Sequence, residues 1–220
     1  MWEAIGRPGI AVNDTHIVGA VDGIISRLCT DNKITKSSIT LHVVLKDEVN
    51  AFALPGNHLV VYSGLMLSCR NAEELSGVMA HEIAHIEKHH VMNKLVKEVG
   101  ISILASLLGG NGGTEILKEI IRLTSSTAYD RTMEDEADEA AAGYLARAGI
   151  DPEYYANFLF RIAEQTDLPE ELVLVNTHPN SRNRAAAILK LKHKTKTEYR
   201  PVMSPAAWKQ LKQEIKIRIS

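Results

Sequence analysis

Asn71-Ala72-Glu73-Glu74-Leu75-Ser76-Gly77-Val78-Met79-Ala80-His81-Glu82-Ile83-Ala84-His85 is the stretch on which the reading of this 220-residue chain turns. Asn71 with Glu74 three residues later has the form of a capping box, and no proline interrupts the run from Leu75 to about Lys97, so the pattern predicts one long helix. His81 and His85, four residues apart, share a face of that helix. Two imidazoles so placed can bind one tetrahedral zinc while Glu82, one residue on, reaches a metal-bound water. In such a site the metal lowers the water's pKa to about 7 and polarises a carbonyl, and the adjacent carboxylate takes the proton and delivers it to the leaving amine. The competing reading is a solvated helix with two surface histidines. A capped start and strands in front of the helix favour the metal site.

Upstream, Ile17, Val18, Val21, Ile24, Ile25 and Leu28 recur at helical spacing behind Asn13, Asp14 and Thr15, any of which can cap. Ile39, Leu41, Val43 and Leu45 alternate with Thr40, His42, Val44 and Lys46, the period of a strand with one buried face. Asn50 to Leu54 and Leu59 to Tyr62 read as two further strands, with Pro55, Gly56 and Asn57 as the turn between them. Downstream the chain reads as helical. Gly109 to Gly113 make a break, and helices are expected from Thr114 to Leu123, from near Thr132 (with Asp135 as its capping partner) to Gly149, from Asp151-Pro152 to about Gln165, from Asn180 to Leu191, and from Pro205 to Ile217. The expected fold class is α+β: a mainly helical zincin domain with a small antiparallel sheet before the active-site helix.

A catalytic zinc usually keeps three protein ligands. The extended pattern with a third histidine fails, because its glycine position holds Lys88 and its histidine position Val91. The acidic run Arg131 to Asp138 supplies carboxylates instead. Glu134 and Asp138 are four apart on one face, whereas Asp135 and Glu136 point elsewhere, so Glu134 is the candidate ligand and Asp138 an orienting partner for a ligand imidazole. The plainer use of this acidic turn is to complement a helix N-terminus. His89 and His90 continue the helix and read as structural or solvated; His16, His42, His58 and His193 have no constellation around them.

Composition is that of a globular chain, with 45% hydrophobic and 24% charged residues and a net charge of −2. Cys29 and Cys69 form no C-x-x-C pair, so thiolate chelation is excluded. The charge is uneven: residues 1 to 181 carry 14 Lys+Arg against 25 Asp+Glu, and residues 182 to 220 carry 11 against 2. The basic end complements the acidic body, or else faces an anionic membrane surface or a protein partner; no nucleic acid is expected. The start, MWEAIGRPGIAV, lacks the apolar run of a secretory signal. The ten residues Val99 to Leu108 span only about 15 Å as a helix, too short to cross a bilayer.

With His81, Glu82, His85 and Glu134 in order, the chain resembles the HtpX-like and type I CAAX prenyl protease family of zinc metallopeptidases, metallopeptidase family forty-eight. Asn50-Ala51-Phe52-Ala53-Leu54-Pro55-Gly56 followed by Val61-Tyr62-Ser63-Gly64-Leu65 is similar to that family's strand and turn before the active-site helix, and Thr177-His178-Pro179 with Arg184 is similar to its late His-Pro motif. The resemblance covers roughly residues 15 to 192. It implies that His81, His85 and Glu134 bind one Zn2+, that Glu82 is the general base, that Asp138 acts as proton donor or orients a ligand, and that His178 stabilises the oxyanion or blocks the open coordination position. Arg184 is expected to help bind substrate or to support the loop. Peptidases of this mechanism take substrate as an added strand, and Asn50, Ala51, Phe52 and Ala53 are the candidate edge. Residues 109–129 are a candidate lid.

Two units are expected, a peptidase domain over 1–192 and a basic extension over 193–220 packed on it or extending it. The functional expectation is a zinc endopeptidase with a polypeptide substrate, acting in envelope protein quality control. Its location is periplasmic or membrane-associated if a leader is encoded apart from this chain, and otherwise cytoplasmic. The rival is a zinc-binding chaperone or interaction module, which has no need of the Glu82 carboxylate.

Overall fold

Of the three candidate caps for the first helix, Asp14 is the one used: its carboxylate accepts the N–H groups of His16 and Ile17 at the start of α1, Thr15–Asn32. The computed structural model describes residues 10–12, 14–100, 113–126, 128–164, 173–192 and 198–219. The glycine run and the apolar stretch to Leu108 lie mostly outside them, as does the chain's opening.

A two-residue β1, Ile10–Ala11, is followed after α1 by β2, Thr40–Leu45, β3, Ala51–Leu54, and β4, His58–Tyr62. The sheet order is β1-β2-β4-β3. The expected hairpin between β3 and β4 is there, with Gly56 and Asn57 both at positive φ in its turn. The hairpin enters the sheet by its second strand, so β4 runs parallel to β2. The sheet is therefore mixed rather than antiparallel, and β3 is left at its edge. The chain leaves β4 directly into α2, Ser63–Ser68, where Ser63 hydrogen-bonds both the N–H and the C=O of Lys46. A Cβ on Gly64 would lie 2.1 Å from the Asp47 carbonyl oxygen, so only glycine lets the β2 loop pass this close.

The active-site helix is α3, Ala72–Glu87, capped by Asn71, which accepts the Glu74 N–H. It is shorter than expected. His89 takes the left-handed conformation (φ 56°) and the chain restarts as α4, His90–Val99. Then come α5, Gly113–Ser126, α6, Arg131–Arg147, α7, Glu153–Glu164, α8, Val173–Thr177, α9, Ser181–Lys192, and α10, Pro205–Ile219. Asp130, not Thr132, caps α6 by accepting the Met133 N–H.

Every residue of α3 from Ala72 to Ile86 is buried, because the helix is enclosed by α6, α7, β3 and α1. Gly77 makes this possible: an added Cβ would sit 2.3 Å from the Cβ of Tyr155 on α7. Trp208, Leu211 and Ile215 of α10 are buried, with α1 and α2 packed against that helix. Arg27 of α1 donates to the carbonyls of Ala148, Gly149, Arg200 and Pro201, tying the segment before α10 to the same core.

Candidate active site

α3 carries His81 and His85 one turn apart, with their Nε2 atoms 3.0 Å from each other. Glu134, in the first turn of α6, places Oε1 3.3 Å from His85 Nε2 and Oε2 3.7 Å from His81 Nε2. His178 follows α8; its Nδ1 lies 3.1 Å from His81 Nε2 and 2.9 Å from Glu134 Oε1. All four residues are buried and their donor atoms lie within 4.8 Å of one another. A tetrahedral ion with bonds of about 2.0–2.1 Å has donor–donor edges of about 3.3 Å, close to these separations. The imidazole and carboxylate set therefore fits one metal ion.

Behind these donors stand groups that fix their orientation. Asp138 Oδ1 lies 2.9 Å from His81 Nδ1, and Asp138 accepts from Arg184 at 2.7 and 2.8 Å and from the Tyr155 hydroxyl at 3.2 Å. Arg184 also stands 2.6 Å from Glu134 Oε2 and donates to the His178 carbonyl. It is thus buried and engaged on the His178 loop and on both carboxylates. On the other side, His85 Nδ1 lies 3.0 Å from His90 Nδ1, and His90 Nε2 lies 3.3 Å from Glu136 Oε2. With His85 Nε2 given to a metal, its Nδ1 must carry the proton, which sets His90 as acceptor there and as donor to Glu136. His90 and Glu136 are the pair that spacing missed, since the turn at His89 sends His90 back toward the site. Tyr129 stacks on His85 with centroids 3.9 Å apart, Lys94 Nζ sits 4.1 Å over the Tyr129 ring, and the Tyr129 N–H is bonded to Thr177 beside His178.

The electrostatics follow from burial among these charges. Burial and Arg184 push His81 down, but Glu134 and Asp138 outweigh them and raise it to about 9. Burial and the charge of His81 hold His85 well below its ordinary value. Burial alone would raise Glu134, yet His178, Arg184 and His81 hold it far below the carboxylate range. Protons and a metal ion compete for the same lone pairs, so metal uptake would release protons. Glu82 differs: it is fully buried, neither oxygen has a hydrogen-bond partner among the described residues, and burial raises its pKa. Its Oε1 lies 3.4 Å from His178 Nε2.

Residues 18–192 match the model of peptidase family M48. The chain belongs to that family. One relative is the β-barrel assembly-enhancing protease of Escherichia coli K12, 27% identical over 186 residues that cover 78% of this chain and 38% of that protein. Another is the mitochondrial metalloendopeptidase OMA1 of Schizosaccharomyces pombe, 25% identical over 171 residues, covering 76% of this chain and 51% of that one. The bovine mitochondrial OMA1 is 29% identical over 188 residues, covering 76% and 35%. The chain thus spans well under two thirds of these relatives. No described helix is long and apolar enough to cross a membrane.

The candidate substrate strand of this M48 domain, Asn50 with Ala51, Phe52 and Ala53, lies at the sheet edge and is buried, with α3 and α5 packed against β3. His42 and His58 are not isolated: Nε2 of one lies 2.8 Å from Nδ1 of the other across β2 and β4.

Proposed function

We propose that this chain is a zinc-dependent endopeptidase in which His81, His85 and Glu134 hold the ion and Glu82 is the general base. One observation carries this reading: the Glu82 carboxylate is fully buried, with no hydrogen-bond partner among the described residues, beside four convergent metal-binding donors. A buried carboxylate without hydrogen bonds is costly, and a purely structural metal site gives it no task. When bound, zinc supplies the Lewis acidity that activates water and polarises the scissile carbonyl. Glu82 then takes the water's proton and returns it to the leaving amine; its raised pKa suits both steps. Asp138 orients His81 instead of donating a proton, consistent with its contacts to His81 Nδ1, Arg184 and Tyr155. His178 would supply a fourth donor to the ion, or a proton donor to the oxyanion.

The substrate is a polypeptide that pairs with β3. The bacterial relative's name, a β-barrel assembly-enhancing protease, supports misfolded or misassembled envelope protein as the substrate class and the cell envelope as the location. Residues 1–192 form the peptidase unit, and 193–220 extend it. The test is wild type against Glu82→Gln, both zinc-loaded, on unfolded casein. The expected loss is about 10²–10⁴-fold in rate at unchanged metal content. Equal cleavage by both would remove Glu82 from the chemistry, and client binding without cleavage by either would favour the chaperone module.

A further inference from the structure

Away from the metal cluster, a cleft of about 570 Å³ opens between the start of α3, the start of α7 and the length of α10. Lys209, Lys212 and Lys216 recur at spacings of three and four, which puts them on one face of α10, and all three line the cleft. Arg70 faces them from the turn before α3. Lys212 donates to the Cys69 carbonyl, but Arg70, Lys209 and Lys216 are exposed and make no ion pair among the described residues. The one carboxylate in the wall, Glu73, is already engaged by the Val202 N–H. Between the cations lies apolar surface. Tyr154 is 40% exposed, and the ring of Trp208 is buried, its indole N–H without an acceptor among the described residues. A second cleft of about 440 Å³ shares Arg70 and Tyr154 and runs on along α7 past Phe160, itself 50% exposed; its two carboxylates, Glu74 and Glu164, are held by Arg161 and Arg182.

We infer that this continuous groove is a docking site for an acidic peptide segment of a partner protein, carrying a large apolar side chain that seats against Tyr154. The unopposed lysines and Arg70 match carboxylates, and the exposed aromatics match the apolar anchor. Two clefts that share Arg70 and Tyr154 suit an extended segment better than a small anion, and a concave groove offers only its rim to a flat bilayer. Trp208 lies in the wall on α10, so binding has an optical reporter. His81 is nine residues beyond Ala72, about 14 Å along the helix axis, so a segment held in the groove leaves the metal cluster uncovered. Binding is thereby separable from proteolysis.

The chain has two tryptophans, so Trp2→Phe leaves Trp208 as the sole reporter. The probe is a ten-residue peptide of Asp and Glu with one central Phe, titrated by fluorescence and by calorimetry. A saturable signal that weakens with salt is expected, with affinity at least tenfold lower in Lys209→Glu/Lys216→Glu at an unchanged melting temperature. Should that variant be unstable, Arg70→Glu makes the same comparison. The Asn/Gln version of the peptide should not bind. The proposal is overturned by the absence of both signals, by equal affinity in the charge-reversed variant or for the neutral peptide, or by binding to phosphatidylglycerol vesicles in place of the peptide.

Discussion

At the scale of single residues, the site divides into groups whose positions follow from spacing and groups whose positions follow from a turn. His81, Glu82 and His85 on one helix, and Glu134 with Asp138 on another, are legible because four residues make one turn and bring side chains to one face. His178 sits outside helical spacing, and only its resemblance to a motif marks it. His90 is invisible to both, because the chain leaves α3 through a non-glycine residue, His89, at φ 56°, and no periodicity announces that reversal. Its place beneath His85 gives a prediction. His90→Leu should weaken metal affinity about 10–100-fold, because the Nδ1 proton of His85 loses its acceptor. Competition with a chromophoric chelator measures this, and Glu136→Gln should show a smaller change of the same sign. Unchanged affinity in His90→Leu would mean that the 3.0 Å contact does not hold the ligand.

Among elements, the contact of α3 with α7 depends on one absent side chain. Gly77→Ala would drive a methyl to 2.3 Å from Tyr155 Cβ. Tyr155 is fully buried and cannot move aside freely, so the expected loss is about 1–3 kcal/mol in a urea melt. Tyr155 also donates to Asp138, so metal affinity should fall with stability. An alanine variant as stable as wild type would show that α7 slides without cost. Strands were legible one by one through their alternation, but their order was not: nothing in β2, β3 or β4 says that the hairpin inserts its second strand beside β2. That order is what brings His42 against His58. Burial first, and then the charge of His58, lowers His42 to about 4. The unfolded ring, near 6.5, therefore binds a proton that the folded ring refuses between those values, and stability falls as pH drops from 6.5 to 4. Discounted for a ring only half buried, the contribution is about 1–2 kcal/mol. His42→Thr should flatten the stability profile across that window by this amount; an identical slope in both proteins would remove the pair from acid sensitivity.

For the molecule as a whole, the uneven charge along the sequence resolves in part within the fold. Several cations of the basic end are used internally: Arg184 on Glu134 and Asp138, Lys192 on Asp151 and Glu153, Arg182 on Glu164 and Arg218 on Asp14. Opposite signs in distant parts of the sequence thus spoke of a closed molecule, though which lysines stay unpaired could be known only from the path of α10. Closure also bears on activity. In the proposed reaction the substrate pairs with β3, yet the residues of β3 are buried and α5 packs against it as well as against α4 and α8. The Lys94 ammonium, donating to the Thr124 carbonyl, fastens α5 to α4 beside the site. On that reading a substrate strand would have to compete with α5 for the same surface, and the helix would act as a gate whose opening free energy adds to the barrier. Weakening its apolar anchors should open the gate without touching a donor of the metal cluster. Ile120→Ser and Leu123→Ser each remove a buried side chain from α5. Either should raise the initial rate of casein cleavage several-fold while the protein stays folded and metal-loaded, and limited proteolysis should cut first within α5. A folded, metal-loaded variant that cleaves no faster than wild type would mean that α5 stays in place during turnover and that substrate enters by another edge.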